Sequence, residues 1–203
     1  NSILFECKDC THKWFELPKT FRENSNNNDK QFSKDYVEKH GGRNSLDLLK
    51  NPFQPTFFRS LSNITLTTMF KHFEENSNIL EIGPSFPGIF EVLSNISVKM
   101  NFFAIEPNPI WNKKLENYNV KIIGDHFPSK IDKKYNNYFD FIFLHNVFYY
   151  FHDPQEALKQ LSSLLKPNGV IQIQVVNSKH SSCNDNYFLN NPLIQLFNAK
   201  SLK

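Results

Sequence analysis

Four short groups of residues in this chain could bind a polar ligand, and each follows an apolar run. In Asn78-Ile-Leu-Glu-Ile-Gly-Pro-Ser-Phe-Pro-Gly88 the run ends in Glu81, and Gly83 follows two residues later. Ser85 and Gly88 then lie in a turn that leads into a helical-looking segment. The second group is Glu106-Pro107-Asn108, the third Gly124-Asp125-His126-Phe127, and the fourth His145-Asn146. A carboxylate at a strand end accepts hydrogen bonds from hydroxyl or ammonium groups. A glycine there lets the backbone approach a ligand, because no Cβ intervenes. Acids after three successive strands suit a molecule with ribose hydroxyls, an amine and an exocyclic amino group. A nucleotide-type cofactor is held in this way at the mouth of an α/β sheet.

These groups need a frame to bring them together. The candidate strands are 79–82, 101–105, 120–123, 139–144 and 170–176, and the candidate helices are 88–94, 109–117 and 154–165. The last helix is the best marked. Asp153 caps it, Pro154 suits its first position and Glu156 stands where a capping-box acid belongs. Leu158, Leu161, Leu164 and Leu165 form its buried face, and Lys166-Pro-Asn-Gly169 stops it. An amphipathic helix over residues 56–75 precedes the first strand, with Phe57, Phe58, Leu61, Ile64, Leu66, Met69, Phe70 and Phe73 on its apolar side. Strand–helix alternation predicts an α/β fold: a Rossmann-like, doubly wound, mostly parallel sheet of about five strands with helices on both faces.

Residues 55–203 resemble the class I S-adenosylmethionine-dependent methyltransferases of the small-molecule type. Leu80-Glu-Ile-Gly83 is similar to that family's first motif and Ala104-Ile-Glu106-Pro to its second. Gly124-Asp125-His126 is similar to the third, Phe139 to Asn146 to the fourth, and Phe151 to Gly169 to the helix and turn that follow. The resemblance implies S-adenosylmethionine as cofactor. It implies Glu106 on the ribose hydroxyls, Asp125 on the adenine amino group, and Glu81, Gly83, Ser85, Gly88, His126, His145 and Asn146 around them. It also implies methyl transfer to an O, N or C nucleophile of a small molecule, with Phe86, Phe127, Phe148 and Tyr149 as aromatic wall. The chain departs from the family's glycine loop, because Ser85 and Pro87 take the later glycine positions and Gly88 falls one residue late. Pro87 also removes a donor. Tyr149 and Tyr150 stand where many relatives have a Glu-His pair, which leaves His145 as the nominee for a catalytic base. A second reading is a methyltransferase-like binding module without turnover. A third is a nicotinamide-dependent enzyme, since Gly83-x-Ser85-x-x-Gly88 has dinucleotide-loop spacing and Glu106 follows 18 residues after Gly88.

The bulk properties narrow the partners. The 203 residues include 23 basic and 20 acidic side chains, a net charge of +3. That balance predicts no nucleic-acid stripe. No apolar run reaches the roughly 18–20 residues that span a bilayer, so no membrane partner is expected. Three cysteines, an odd number, point to a reducing compartment, here the cytoplasm. Cys7-x-x-Cys10 resembles one knuckle of a zinc ribbon, with His12 nearby, and would hold structural zinc only in an intact ribbon of four ligands. The organisation expected is a partial knuckle over 1–16, a polar linker over 17–54 with its Asn-rich core, and a methyltransferase-like domain over 55–203. Asn1 in place of Met, and an end soon after Leu196-Phe197, predict truncation at both termini, with strands six and seven missing and strand five left as an edge.

Overall fold

The fold is that of a computed structural model, which describes residues 3–16, 57–84, 87–96, 98–180 and 194–202. The expected linker over 17–54, Ser85, Phe86 and Cys183 lie outside the described residues.

Continuous runs of buried residues make the middle strands of the central sheet. Its strands are β3 (Asn78–Ile82), β4 (Asn101–Ile105), β5 (Lys121–Gly124), β6 (Phe139–His145) and β7 (Leu165–Gln174). They pair in the order β5-β4-β3-β6-β7, all parallel. Such a sheet is apolar on both faces because helices cover both. Ile79, Phe102, Ala104, Phe141 and Phe143 pack on one side, with Leu66, Met69 and Phe73 against them. Leu80, Ile82, Phe103, Ile105, Ile142 and Leu144 pack on the other. The helices are α1 (Phe57–Met69), α2 (Gly88–Ser94), α3 (Pro109–Leu115) and α4 (Pro154–Leu164). Among the described residues no helix is long and apolar enough to cross a membrane.

Two helices differ from the expected faces. In α1, Ile64 is 58% exposed while Ser62 and Thr65 are buried. The inward face therefore follows 62, 65, 66 and 69, a helical spacing that carries two hydroxyl residues. In α4, Ala157, Leu161 and Leu164 are buried, whereas Leu158 is 39% exposed. Leu158 sits one position, about 100° around the helix, from Ala157 and faces the rim. The expected cap is present: the Asp153 side chain accepts the Glu156 N–H at 2.9 Å. Leu165 is already extended and pairs with Phe139 as the first residue of β7.

A second, three-stranded antiparallel sheet joins β1 (Ile3–Glu6), β2 (Lys13–Glu16) and β8 (Gln195–Leu196). Gln195 and Leu196, close to the end of the sequence, thus pair with β2. The buried Gln195 explains the choice. Its Oε1 meets His12 Nε2 at 2.8 Å, and its Nε2 donates to the Phe151 carbonyl at 3.2 Å. Asn198 Nδ2 donates to the Thr11 carbonyl at 3.1 Å. Phe15 and Phe197 then join the core on the α4 side of the main sheet.

Candidate functional site

The chain reverses direction across the sheet between β3 and β6, and ligands bind beyond the strand ends at such a point. Glu81, Gly83, Glu106, Asp125, His145 and Asn146 all lie at the carboxyl ends of β3, β4, β5 and β6. The ladder ties these ends together. Gly83 N–H donates to the Ile105 carbonyl at 2.8 Å, Glu106 N–H to Gly124 at 3.1 Å, and Asn146 N–H to Gln174 at 3.0 Å.

Gly83 turns away from β3 at φ +61°, and a Cβ there would stand 3.0 Å from Val147 Cγ2. Left-handed backbone costs a residue with a side chain about 1–2 kcal/mol. Gly83→Ala is therefore expected to lose about that much stability, seen as a lower denaturant midpoint with an unchanged slope. A midpoint equal to that of the parent chain would mean the turn relaxes freely.

Glu106 is buried just past β4, where Oε1 accepts the Asn108 N–H at 2.8 Å. Its backbone carbonyl accepts from Asn112 Nδ2 at 3.2 Å, so the residue is fixed at both levels. Asp125, past β5, is 65% exposed, with an oxygen 3.5 Å from His126 Nδ1. Gly88 opens α2 and is buried.

Glu81 is only 4% exposed, and its Oε1 lies 2.7 Å from His145 Nδ1. Its Oε2 is buried with no hydrogen-bond partner among the described residues. His145 Nε2 in turn lies 3.1 Å from Thr65 Oγ1. Burial opposes the imidazolium, but the Glu81 carboxylate, its hydrogen bond and the neighbouring Gln172 side chain outweigh it, and the His145 pKa is raised. A raised pKa means this pair stabilises the fold fully below the ordinary histidine value. The contribution is lost as pH climbs through the raised one.

Sequence reasoning overlooked Thr65 and Gln172. A threonine inside an apolar helix carries no chemical signal, and only its buried helical spacing could have pointed to it. The aromatic wall is partly core: Phe148 is buried and stacks on Phe197 at 5.2 Å, and Tyr149 is buried beside it. Phe127 lies against Phe151 at 5.6 Å. His152 is exposed, and Tyr150 packs edge-on to Tyr149.

The knuckle turns through Thr11 at φ +57°, with Thr11 N–H on the Cys7 carbonyl at 2.9 Å. The Cys10 and Asp9 backbone N–H groups and the Cys10 side chain hold the Cys7 thiol below its ordinary pKa. His12 is directed to Gln195, and among the described residues no group of three metal-binding side chains forms. Cys7 and Cys10 are two of the four ligands that tetrahedral zinc takes, so a zinc site does not fit the described residues.

A family model described as "Methyltransferase domain" matches residues 57–203. No curated protein sequence matches the chain. Among solved structures, an S-adenosylmethionine-dependent methyltransferase from Archaeoglobus fulgidus aligns with a TM-score of 0.56 and 16% identity. The alignment covers 77% of this chain and 70% of that one. Coclaurine N-methyltransferase, bound to N-methylheliamine and S-adenosylhomocysteine, aligns with a TM-score of 0.56 and 9% identity, over 75% of this chain and 48% of that one. The [4+2]-cyclase SpnF aligns with a TM-score of 0.53 and 11% identity, over 71% and 54%. At these identities the likeness is one of fold. The chain spans 44%, 33% and 59% of the length of three further solved structures that it matches.

Proposed function

The chain belongs to the methyltransferase-domain family, and on that premise we propose that it transfers a methyl group from S-adenosylmethionine to an O, N or C nucleophile of a small molecule. One observation carries the reading. Glu81 and Glu106 are buried carboxyl groups at the ends of neighbouring strands, and one oxygen of Glu81 lacks a partner among the described residues. A buried polar atom without a partner is costly unless a ligand supplies one.

When bound, S-adenosylmethionine supplies an electrophilic sulfonium methyl group. The protein's part is binding, orientation and exclusion of water. Glu106 would hold the ribose hydroxyls and Asp125 the adenine amino group. Glu81 would face the amine of the amino-acid portion. Gly83 and Gly88 let the backbone come close and Ser85 would offer a hydroxyl and an N–H, while His126 and Asn146 border the site. Phe127 would provide apolar surface beside it. Zinc at Cys7 and Cys10 needs two further ligands, and no step depends on it.

Fold alone does not fix chemistry, as the match to a [4+2]-cyclase illustrates. The second reading, a binding module without turnover, is favoured by one detail: both His145 nitrogens are already engaged, so no free histidine base stands at β6. Calorimetry with S-adenosylmethionine, followed by methyl transfer to a panel of small hydroxyl, amine and activated-carbon acceptors, separates the readings. Binding with transfer is the expected result. Binding without transfer to any acceptor would favour the module, and no binding would overturn both.

A further inference from the structure

We infer that His145 is a positioning residue: held between Thr65 and Glu81, it aims the open Glu81 oxygen at a cationic ligand group and gives up a proton when that group arrives. This rests on the reading of the site as an S-adenosylmethionine pocket.

The geometry leaves His145 little else to do. Nδ1 is taken by Glu81 Oε1 at 2.7 Å and Nε2 by Thr65 Oγ1 at 3.1 Å. A base for the acceptor would need one nitrogen open to the substrate. Alternation along the strands explains the meeting. Glu81 shares the parity of Ile79, and His145 that of Phe141 and Phe143, so both point to the face that α1 covers. Thr65 reaches them from α1. Among the described residues, four side chains meet the imidazole: Glu81 from β3, Thr65 from α1, Gln172 from β7, and the Phe143 ring from its own strand at 5.6 Å. Of these, only Glu81 carries charge.

One carboxylate thus serves two sites, with the His145 ring on Oε1 and, among the described residues, no partner at Oε2. An ammonium group at Oε2 would place a second cation on the same carboxylate, and like charges so close disfavour each other. The imidazolium relieves this by losing Nε2–H to solvent while Nδ1–H stays on Glu81. Thr65 suits the change, because its hydroxyl accepts from Nε2–H before and donates to Nε2 afterwards. No bond to carbon changes, and the proton goes to the buffer. The Glu81 carboxylate holds the His145 pKa above the ordinary histidine value despite burial, which favours the protonated ring from which this step starts. Linkage then fixes the sign. Affinity is flat below the bound-state pKa, rises with pH up to the free-state pKa, and is flat above it.

The test is calorimetric titration of the whole chain with S-adenosylhomocysteine, whose ammonium is intact, from about pH 5.5 to 8 in buffers of different ionisation heat. Expected are release of about one proton per ligand within the window and an affinity rise of about tenfold per pH unit there. His145→Gln keeps a donor for Glu81 and should bind with a flat profile. Binding without proton release, or equal slopes in both proteins, overturns the inference and leaves the cofactor reading standing. No binding at any pH overturns that reading, and the inference with it. Should the variant fail to fold, ¹⁵N titration of the His145 ring in the parent chain decides. A pKa that falls on ligand addition supports the inference, and an unchanged one refutes it.

Discussion

Replacing Glu106 with alanine should weaken S-adenosylmethionine binding roughly 10- to 150-fold, the worth of a hydrogen bond to a charged group at about 1.5–3 kcal/mol. The size follows from the site. Glu106 is buried, its backbone is anchored on Gly124 and Asn112, and its Oε1 is steadied by the Asn108 N–H. Such a side chain meets a diol without first losing rotamer freedom, so little of the interaction is spent on ordering. Alanine also strands the Asn108 N–H, which costs stability on its own. Glu106→Gln separates the two effects, because its amide oxygen can still accept from Asn108 while the charge is gone. Calorimetry should show reduced affinity in both variants and a lowered melting temperature chiefly in the alanine one. Parent-like affinity in both would remove Glu106 from the site.

The fold was open to sequence reasoning because its signals are local and repeated. The run 101–105 gives a strand with the predicted bounds, and Gly88–Ser94 a helix with the predicted bounds. Asp153, Pro154 and Glu156 mark a helix start by chemistry that needs no tertiary help. The strand ends could likewise be read as neighbours, since a parallel sheet puts them along one rim. What stayed hidden depends on long-range pairing. The Glu81–His145 contact joins residues 64 apart and the Thr65–His145 contact residues 80 apart. Nothing in the local pattern of either segment specifies it. Pairing of β8 with β2 spans almost the whole chain and is held by two amide side chains, Gln195, satisfied from two directions, and Asn198 on the Thr11 carbonyl. Ile64 and Leu158 misled because they are apolar; the helix faces were set instead by which positions meet the sheet.

Phe139→Ala should cost about 3–5 kcal/mol, the range for deleting a buried aromatic ring. Phe139 is fully buried at the start of β6, and three other rings enclose it. Tyr135 stacks on it at 5.8 Å, while Phe103 and Tyr138 meet it edge-on at 5.3 Å and 5.2 Å. Removing the ring leaves an apolar void that water will not fill favourably and that strand backbone cannot close. Against a typical total of about 5–15 kcal/mol, the loss is a large share of stability. Its place in the sheet makes the variant useful for function as well. Phe139 and His145 are the two ends of a seven-residue strand, about 20 Å apart at roughly 3.3 Å per residue. The denaturant midpoint should therefore fall sharply, while affinity for S-adenosylhomocysteine, measured where the variant is folded, should match that of the parent chain. A loss below about 1 kcal/mol would mean that the aromatic cluster repacks around the gap. An affinity that falls in step with stability would mean that the strand's two ends do not behave independently. The binding effects expected at residues 106 and 145 would then have to be measured against stability-matched variants before being read as contacts with the ligand.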